Sequence, residues 1–246
     1  MTFPRVEMLE LVKTAHATQF RNNGRVPYWM HLAAVAQILD WAIFRGNEIR
    51  DDALHDDLYA AALGHDLYED TQVGRAEIEK RFGARVAGWI QAMTNDGDDK
   101  DKKAYLARLA AGPEEARLIK LADLIENMAS CAYAIPDMGV EWTRTFFVPI
   151  ATETAAMLRG ASFPQYPKTG EALRGQMEYH LRRLQSNLAM YLSLEPAKST
   201  APGGPAAGIS KEAWANALEK TREEERERAE KFGGGRPFPI PTPKDE

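Results

Sequence analysis

Four residues of metal-binding type occur in the order His31, His65-Asp66 and Asp123, and an acidic pair, Glu69-Asp70, follows the central dipeptide by one helical turn. Two imidazoles and two carboxylates suit a divalent transition metal such as Mn, Fe or Zn. An acidic pair beside such an ion is what a phosphohydrolase needs to manage the protons of an attacking water. Each piece taken singly has a plain alternative. A lone histidine early in an apolar helix is commonly a satisfied core residue. A His-Asp dipeptide occurs a second time at His55-Asp56, where it begins a polar stretch and reads as a solvated helix start. Glu69-Asp70 alone reads as a solvated acidic helix end. Asp123 is the least ordinary, because it sits in the largely apolar LIKLADLIENM, and an aspartate buried there needs a partner. Asn127 lies one turn further on the same face. The plain readings do not account for the whole set together.

The elements that must position these residues read as helices throughout, with no alternating strand pattern. Helices are expected from about 6 to 20 and 28 to 44, and a third from Asp51 or Asp52 to about Tyr68, where the pair either rides on the helix or crowns its end at Thr71. A short helix ending at Gly83 and another to Met93 follow. Pro113 starts a helix expected to reach about Cys131, with Glu114 and Glu115 at its positive end. Two more cover about 140 to 158 and 171 to 192. Trp29, Trp41 and Trp89 are expected in the core, His16 under the loop carrying Arg21, and His180 at the surface.

Composition narrows the class. The chain has 246 residues, 44% hydrophobic and 27% charged, with a formal net charge of -5. That is ordinary for a globular protein and argues against bulk nucleic-acid binding, which favours a basic excess. A small anionic ligand remains compatible, since a metal and a local basic rim can outweigh the global sign. Cys131 is the single cysteine, so no intrachain disulfide can form, and it is expected as a small buried apolar residue. The N-terminal segment, with Arg5, Glu7 and Glu10, does not read as a signal peptide, and AAVAQILDWAIF is too short to span a bilayer. A cytoplasmic location is the expectation. After residue 194 the composition changes to the linker EPAKSTAPGGPAAG, then a charged segment of helical propensity, then a Pro- and Gly-rich tail expected to be disordered.

The run AHATQFRNNGRVPYWMHLAAVAQIL resembles the opening of the RelA/SpoT-type alarmone hydrolase domain, a branch of the HD superfamily. ALGHDLYEDT is similar to that family's HD-x-x-ED segment, IEKRFGARVAGWIQAMTND to the helix pair after it, and LIKLADLIENM to its closing metal motif. Four separated motifs agree in order and approximate spacing, over roughly residues 3 to 160. A hydrolase of this kind without a synthetase domain resembles the small alarmone hydrolases.

The resemblance implies an all-α HD-domain helical bundle over 1–160; the residues' own pattern adds an expected helix packing on it over 161–194, and a C-terminal helical extension with a linker and disordered tail over 195–246, for which the family offers no counterpart. It implies a divalent metal, Mn by expectation, held by His31, His65, Asp66 and Asp123, with Glu69 and Asp70 as catalytic acids. Arg21 would contact the base or its phosphates and Asn127 the ribose or 3′ phosphate. The activity implied is hydrolysis of the 3′-pyrophosphate of guanosine 3′,5′-bis(diphosphate)-type alarmones, giving GDP or GTP and pyrophosphate. Two positions depart from the family pattern. Asn22 and Leu124 stand where the family usually has cations, and Lys100, Lys102 or Lys103 are candidates to compensate. Related substrates are therefore alternatives: the adenosine counterpart, the 2′-phosphate of NADPH, or another nucleotide. A different class is a non-catalytic nucleotide sensor or a partner-binding protein, with the C-terminal extension as the surface for a partner or for self-association.

Overall fold

A computed structural model describes residues 4–21, 24–95 and 102–194. The described residues are helical apart from turns and an isolated antiparallel bridge between Phe20 and Pro27, which closes the loop carrying Arg21. In chain order the helices are α1 (Pro4–Ala15), α2 (Trp29–Gly46), α3 (Asp52–Leu63), α4 (Leu67–Asp70), α5 (Arg75–Met93), α6 (Lys102–Ala111), α7 (Glu114–Met138), α8 (Val140–Trp142), a π-helix (Thr143–Phe147), α9 (Val148–Gly160) and α10 (Pro167–Leu194).

α7 runs through the middle of the bundle. Apolar residues from Leu118 to Ile135 are buried along it, because α2, α5, α9 and α10 all pack against it. A helix enclosed on several sides is apolar on more than one stripe, which makes the polar Lys120, Asp123, Glu126 and Asn127 conspicuous. α10 lies along α7 and α2. Its first turn is tied down by Glu48, whose carboxylate accepts from the backbone N–H of Lys168 and of Thr169, each at 2.9 Å. This satisfies donors that a helix start leaves without partners and sets α10 on the end of α2.

Several boundaries differ from the sequence reading. The third helix does not reach Tyr68. It ends at Leu63, Gly64 caps it, and Asp66 precedes the separate one-turn α4. The cause is packing: a Cβ on Gly64 would sit about 3.0 Å from Ile90 Cδ1, so the chain turns tightly against α5 there. α7 extends past Cys131, accommodates Pro136 near its end, and stops at Gly139, whose φ of 92° favours glycine. The break at Gly83 is present as a kink with φ 90° inside α5. The helix expected from about 140 is interrupted by the π-helical turn.

Trp41 is not in the core. It is 47% exposed, beside Phe44 at 80%, on the outer side of α2. Trp89 is buried, and Trp29 is partly buried against the core. His55 and Asp56 are not a freely solvated start: His55 Nε2 lies 2.8 Å from Asp40 Oδ1, and Asp56 accepts from Arg5 at 2.6 Å. His180 is half-buried rather than at the surface. The linker, charged segment and tail expected over 195–246 lie outside the described residues. No helix among the described residues is long and apolar enough to cross a membrane.

Candidate metal centre

Three elements converge on one point. α2 carries His31 in its first turn, the break between α3 and α4 carries His65 and Asp66, and α7 carries Asp123 in its buried middle. Helix α3 has to stop at Leu63 for this to happen. The tight turn at Gly64 swings both side chains of the dipeptide inward, which a continuous helix would spread by about 100°.

His31, His65 and Asp66 each offer a ligand atom within 4.8 Å of the others. Asp123 Oδ1 lies 3.4 Å from His31 Nε2 and 3.7 Å from His65 Nε2. His65 Nε2 lies 3.2 Å from Asp66 Oδ1, yet it is buried with no hydrogen-bond partner of adequate geometry. An orphaned imidazole nitrogen facing two carboxylates is what a cation would satisfy. The other ring nitrogens are held from behind. His65 Nδ1 bonds the Ala62 carbonyl at 2.8 Å and His31 Nδ1 the Glu126 carboxylate at 2.5 Å, leaving each Nε2 to face the cluster. Such partners fix ring orientation and tautomer in metal-binding histidines. The donor set therefore fits a divalent ion.

The electrostatics agree. Burial works against charge on His65, but Asp66 and Asp123 outweigh it and hold its pKa well above the ordinary value. His31 is raised too, burial being overcome by Asp123 and Glu126. Burial likewise disfavours ionised Asp66 and Asp123. The imidazoles hold Asp66 low, and Lys120 followed by the imidazoles holds Asp123 low. The cluster favours positive charge, which a bound cation would supply.

Glu69 and Asp70 sit on α4 at the mouth of this cluster. Both residues reach solvent, but protein crowds their carboxyl groups. This desolvation first, and the charge of Asp66 second, push Glu69 up to about 7 and Asp70 up to about 6. The backbone N–H of Asn95 donates to Glu69 at 2.7 Å and fixes it. Arg21 donates to Glu126 at 3.0 Å, Ser130 at 2.5 Å and Asn127 at 3.3 Å. Asn127 in turn donates to Asp123 Oδ1 at 2.6 Å. The expected substrate residues Arg21 and Asn127 thus join one network with the cluster. Lys103 is exposed on α6 and is not among the residues that line the cavity beside the cluster. Lys102 donates to the carbonyl of Ile150, a residue of the cavity lining, at 3.2 Å. Lys100 and Asn22 lie outside the described residues. Leu124 is buried and lines the cavity.

Three participants were not singled out from the sequence. Tyr28, just before α2, donates its hydroxyl to Asp66 Oδ2 at 2.6 Å. Lys120 pairs with Asp123 Oδ2 at 2.7 Å, and Glu126 joins His31 to Arg21. Lys120 and Glu126 lie three residues either side of Asp123, a spacing that shares its helix face, so a signal for them was present. Cys131 is buried as expected, and burial pushes its thiol up to about 11, which makes it no nucleophile.

Comparison with known proteins follows the same lines. The family model of the HD domain matches residues 9–152. The Drosophila melanogaster guanosine-3′,5′-bis(diphosphate) 3′-pyrophosphohydrolase MESH1 is 27% identical over 180 residues, covering 70% of this chain and 96% of its own. The Xenopus tropicalis MESH1 is 27% identical over 178 residues, covering 71% and 90%. A Vibrio cholerae guanosine-3′,5′-bis(diphosphate) 3′-pyrophosphohydrolase is 33% identical over 150 residues, which are 56% of this chain but 20% of that protein. A solved structure, described as a metazoan ortholog of SpoT that hydrolyses ppGpp, superposes with a TM-score of 0.61 at 25% identity, covering 76% of this chain and 98% of that one. With the HD domain matched across more than half its length and the His/Asp cluster assembled inside that span, the chain belongs to the HD domain family.

Proposed function

We propose that this protein is a divalent-metal-dependent hydrolase that removes the 3′-pyrophosphate of guanosine 3′,5′-bis(diphosphate)-type alarmones, releasing pyrophosphate and GDP or GTP. The observation that carries the reading is the buried cluster of His31, His65, Asp66 and Asp123 with the carboxyls of Glu69 and Asp70 at its mouth. The same activity is named for the relatives that match this chain nearly end to end of their own length.

His31, His65, Asp66 and Asp123 would hold the ion, which we take to be Mn, a choice the nitrogen and oxygen donors accommodate. When bound, a divalent ion supplies Lewis acidity, acidifying water and polarising a phosphoryl oxygen. The residues of the chain do the rest. Glu69 and Asp70 orient the water and take its proton as oxygen attacks the phosphorus attached at O3′. The P–O3′ bond breaks, and one of the pair delivers a proton to the leaving 3′ oxygen. A carboxyl near pH 7 exchanges protons readily at neutral pH, a role typically worth about 10²–10⁴-fold. Arg21 sits where it can neutralise phosphate charge, held in place by Glu126 and Ser130. Asn127 orients Asp123 and Arg21 together. We assign residues 1–160 to the catalytic unit and 161–194 to a helix that buttresses α7 from behind. The single cysteine and the nucleotide substrate accord with a cytoplasmic location.

Two variants test the assignment. Asp66→Ala loses bound metal and turnover together. Glu69→Gln retains metal and loses turnover by at least about 10²-fold. A fully active Glu69→Gln would remove that residue from the mechanism.

A further inference from the structure

α4, which carries Glu69 and Asp70, is a single turn of four residues. A helix of that length does not hold itself, because fixing the first turn is unfavourable until further turns are added. The acid pair is therefore placed by whatever grips α4 from outside. Asn95 fixes the carboxyl of Glu69, and Leu67 is buried beneath the turn, but neither holds its far end at Asp70.

The connection between α1 and α2, which carries Arg21, grips α4 at both ends. Before its first residue, the Tyr28 hydroxyl donates to Asp66 Oδ2 at 2.6 Å. At its last residue, Gln19 Nε2 donates to the backbone carbonyl of Asp70 at 2.8 Å. The last carbonyls of a helix have no partner within it, and Gln19 supplies one from 51 residues away in sequence. The two grips are joined, since the backbone N–H of Tyr28 donates to the Gln19 carbonyl at 2.9 Å.

Gln19 is itself held from below. His16 is fully buried, and its Nδ1 lies 2.5 Å from Gln19 Oε1. The amide gives an N–H to Asp70 with its oxygen turned to the ring, so Nδ1 is the donor of that pair. Burial holds the pKa of His16 below the ordinary value, and its Nε2 is buried with no hydrogen-bond partner among the described residues. A buried nitrogen without a partner is costly, and an apolar side chain would fill the place without that cost. The hold on Gln19 accounts for the imidazole. Arg21 is anchored separately: its backbone N–H donates to the Val26 carbonyl at 2.7 Å, and its guanidinium bonds Glu126 and Ser130 on α7.

We propose that Gln19, oriented by His16, is a positioning residue that sets Glu69 and Asp70 at the mouth of the cluster, governing turnover rather than metal or substrate affinity. This rests on the assignment of the acid pair to proton handling made above. Both side chains act through α4 and not on the substrate.

The test is Gln19→Met in the full-length, Mn-loaded protein, a change that keeps side-chain length and removes the amide. With guanosine 3′,5′-bis(diphosphate), kcat is expected to fall by about 10–100-fold, the range typical of outer contacts that orient a site. KM and Mn affinity are expected to hold. A retained kcat overturns the proposal. So does a rise in KM alone, which would make Gln19 a support of the Arg21 loop, or a fall in Mn affinity. His16→Asn keeps an N–H donor near the place of Nδ1 and should retain most of kcat. His16→Gln, whose amide reaches towards the place of Nε2 instead, should lose about as much as Gln19→Met. Equal losses in the two His16 variants would reduce that residue to packing and overturn its part. Hydrogen exchange at the amides of Glu69 and Asp70, with Mn and no substrate, reads α4 without any turnover. Faster exchange in Gln19→Met is expected, and unchanged exchange contradicts the grip. If the unsubstituted protein leaves the bis(diphosphate) intact while exchange still quickens in the variant, the alarmone reading fails and the positioning of α4 stands.

Discussion

The carboxylate of Glu126 accepts a hydrogen bond from His31 Nδ1 at 2.5 Å, and the same oxygen, Oε2, accepts from Arg21 at 3.0 Å. One side chain thus fixes a candidate metal ligand from behind and a candidate phosphate-binding cation from below. The relation ties the tautomer of His31 to the placement of Arg21.

Glu126→Gln replaces the charged acceptor with a neutral amide and weakens both contacts. Loss of such a partner typically costs about 10–100-fold in metal affinity. Titration of metal-free protein with Mn, followed by calorimetry, is expected to show a drop in that range with little change in thermal midpoint. Unchanged affinity would mean that Asp123 alone orients His31.

Glu69 gives a pH prediction for metal-free protein. Its carboxyl, raised from the ordinary 4.5 to about 7, is easier to ionise in the unfolded chain than in the folded one. The folded state therefore holds more protons between those values, and the contribution of Glu69 to stability, complete below about 4.5, is lost as pH rises through about 7. Glu69→Gln removes that loss. In EDTA, the melting temperature of the variant minus that of the unsubstituted protein should grow from pH 4.5 to pH 8 and level off above. A difference independent of pH would contradict the raised carboxyl.

Docking of α10 is tested at Gly46, the last residue of α2. A Cβ there would come within 2.9 Å of the Thr169 backbone nitrogen, in the turn that Glu48 caps. Backbone cannot yield as a flexible side chain would, so Gly46→Ala is expected to destabilise by about 1–3 kcal/mol. Chemical denaturation checks this, and Mn affinity should stay within twofold if α10 acts only as a buttress (on the order of experimental additivity for distant sites).

Much of the site was legible because metal ligands are few in kind and their motifs are local. His31, His65, Asp66 and Asp123 could be named before any geometry, and the helical class followed from periodicity. What could not be read was the path of the chain between them. The stop at Leu63 depends on Gly64 meeting Ile90, a tertiary contact that leaves no local trace. Trp41 has the composition of a core residue and faces outward, because exposure of a single aromatic is decided by which neighbour covers it. The π turn that aligns Trp142 with Phe147 gave no sequence signal at all. Lys103 is exposed on α6, Lys100 lies outside the described residues, and Leu124 lines the cavity, so the compensating cation could not be read from the sequence alone.

The most direct measurement is phosphorus NMR of the purified, Mn-loaded protein with guanosine 3′,5′-bis(diphosphate), run beside Asp66→Ala. The account predicts GDP and pyrophosphate from the unsubstituted protein and no turnover from the variant. Orthophosphate in place of pyrophosphate, or an unchanged spectrum with metal verified as bound, would contradict it.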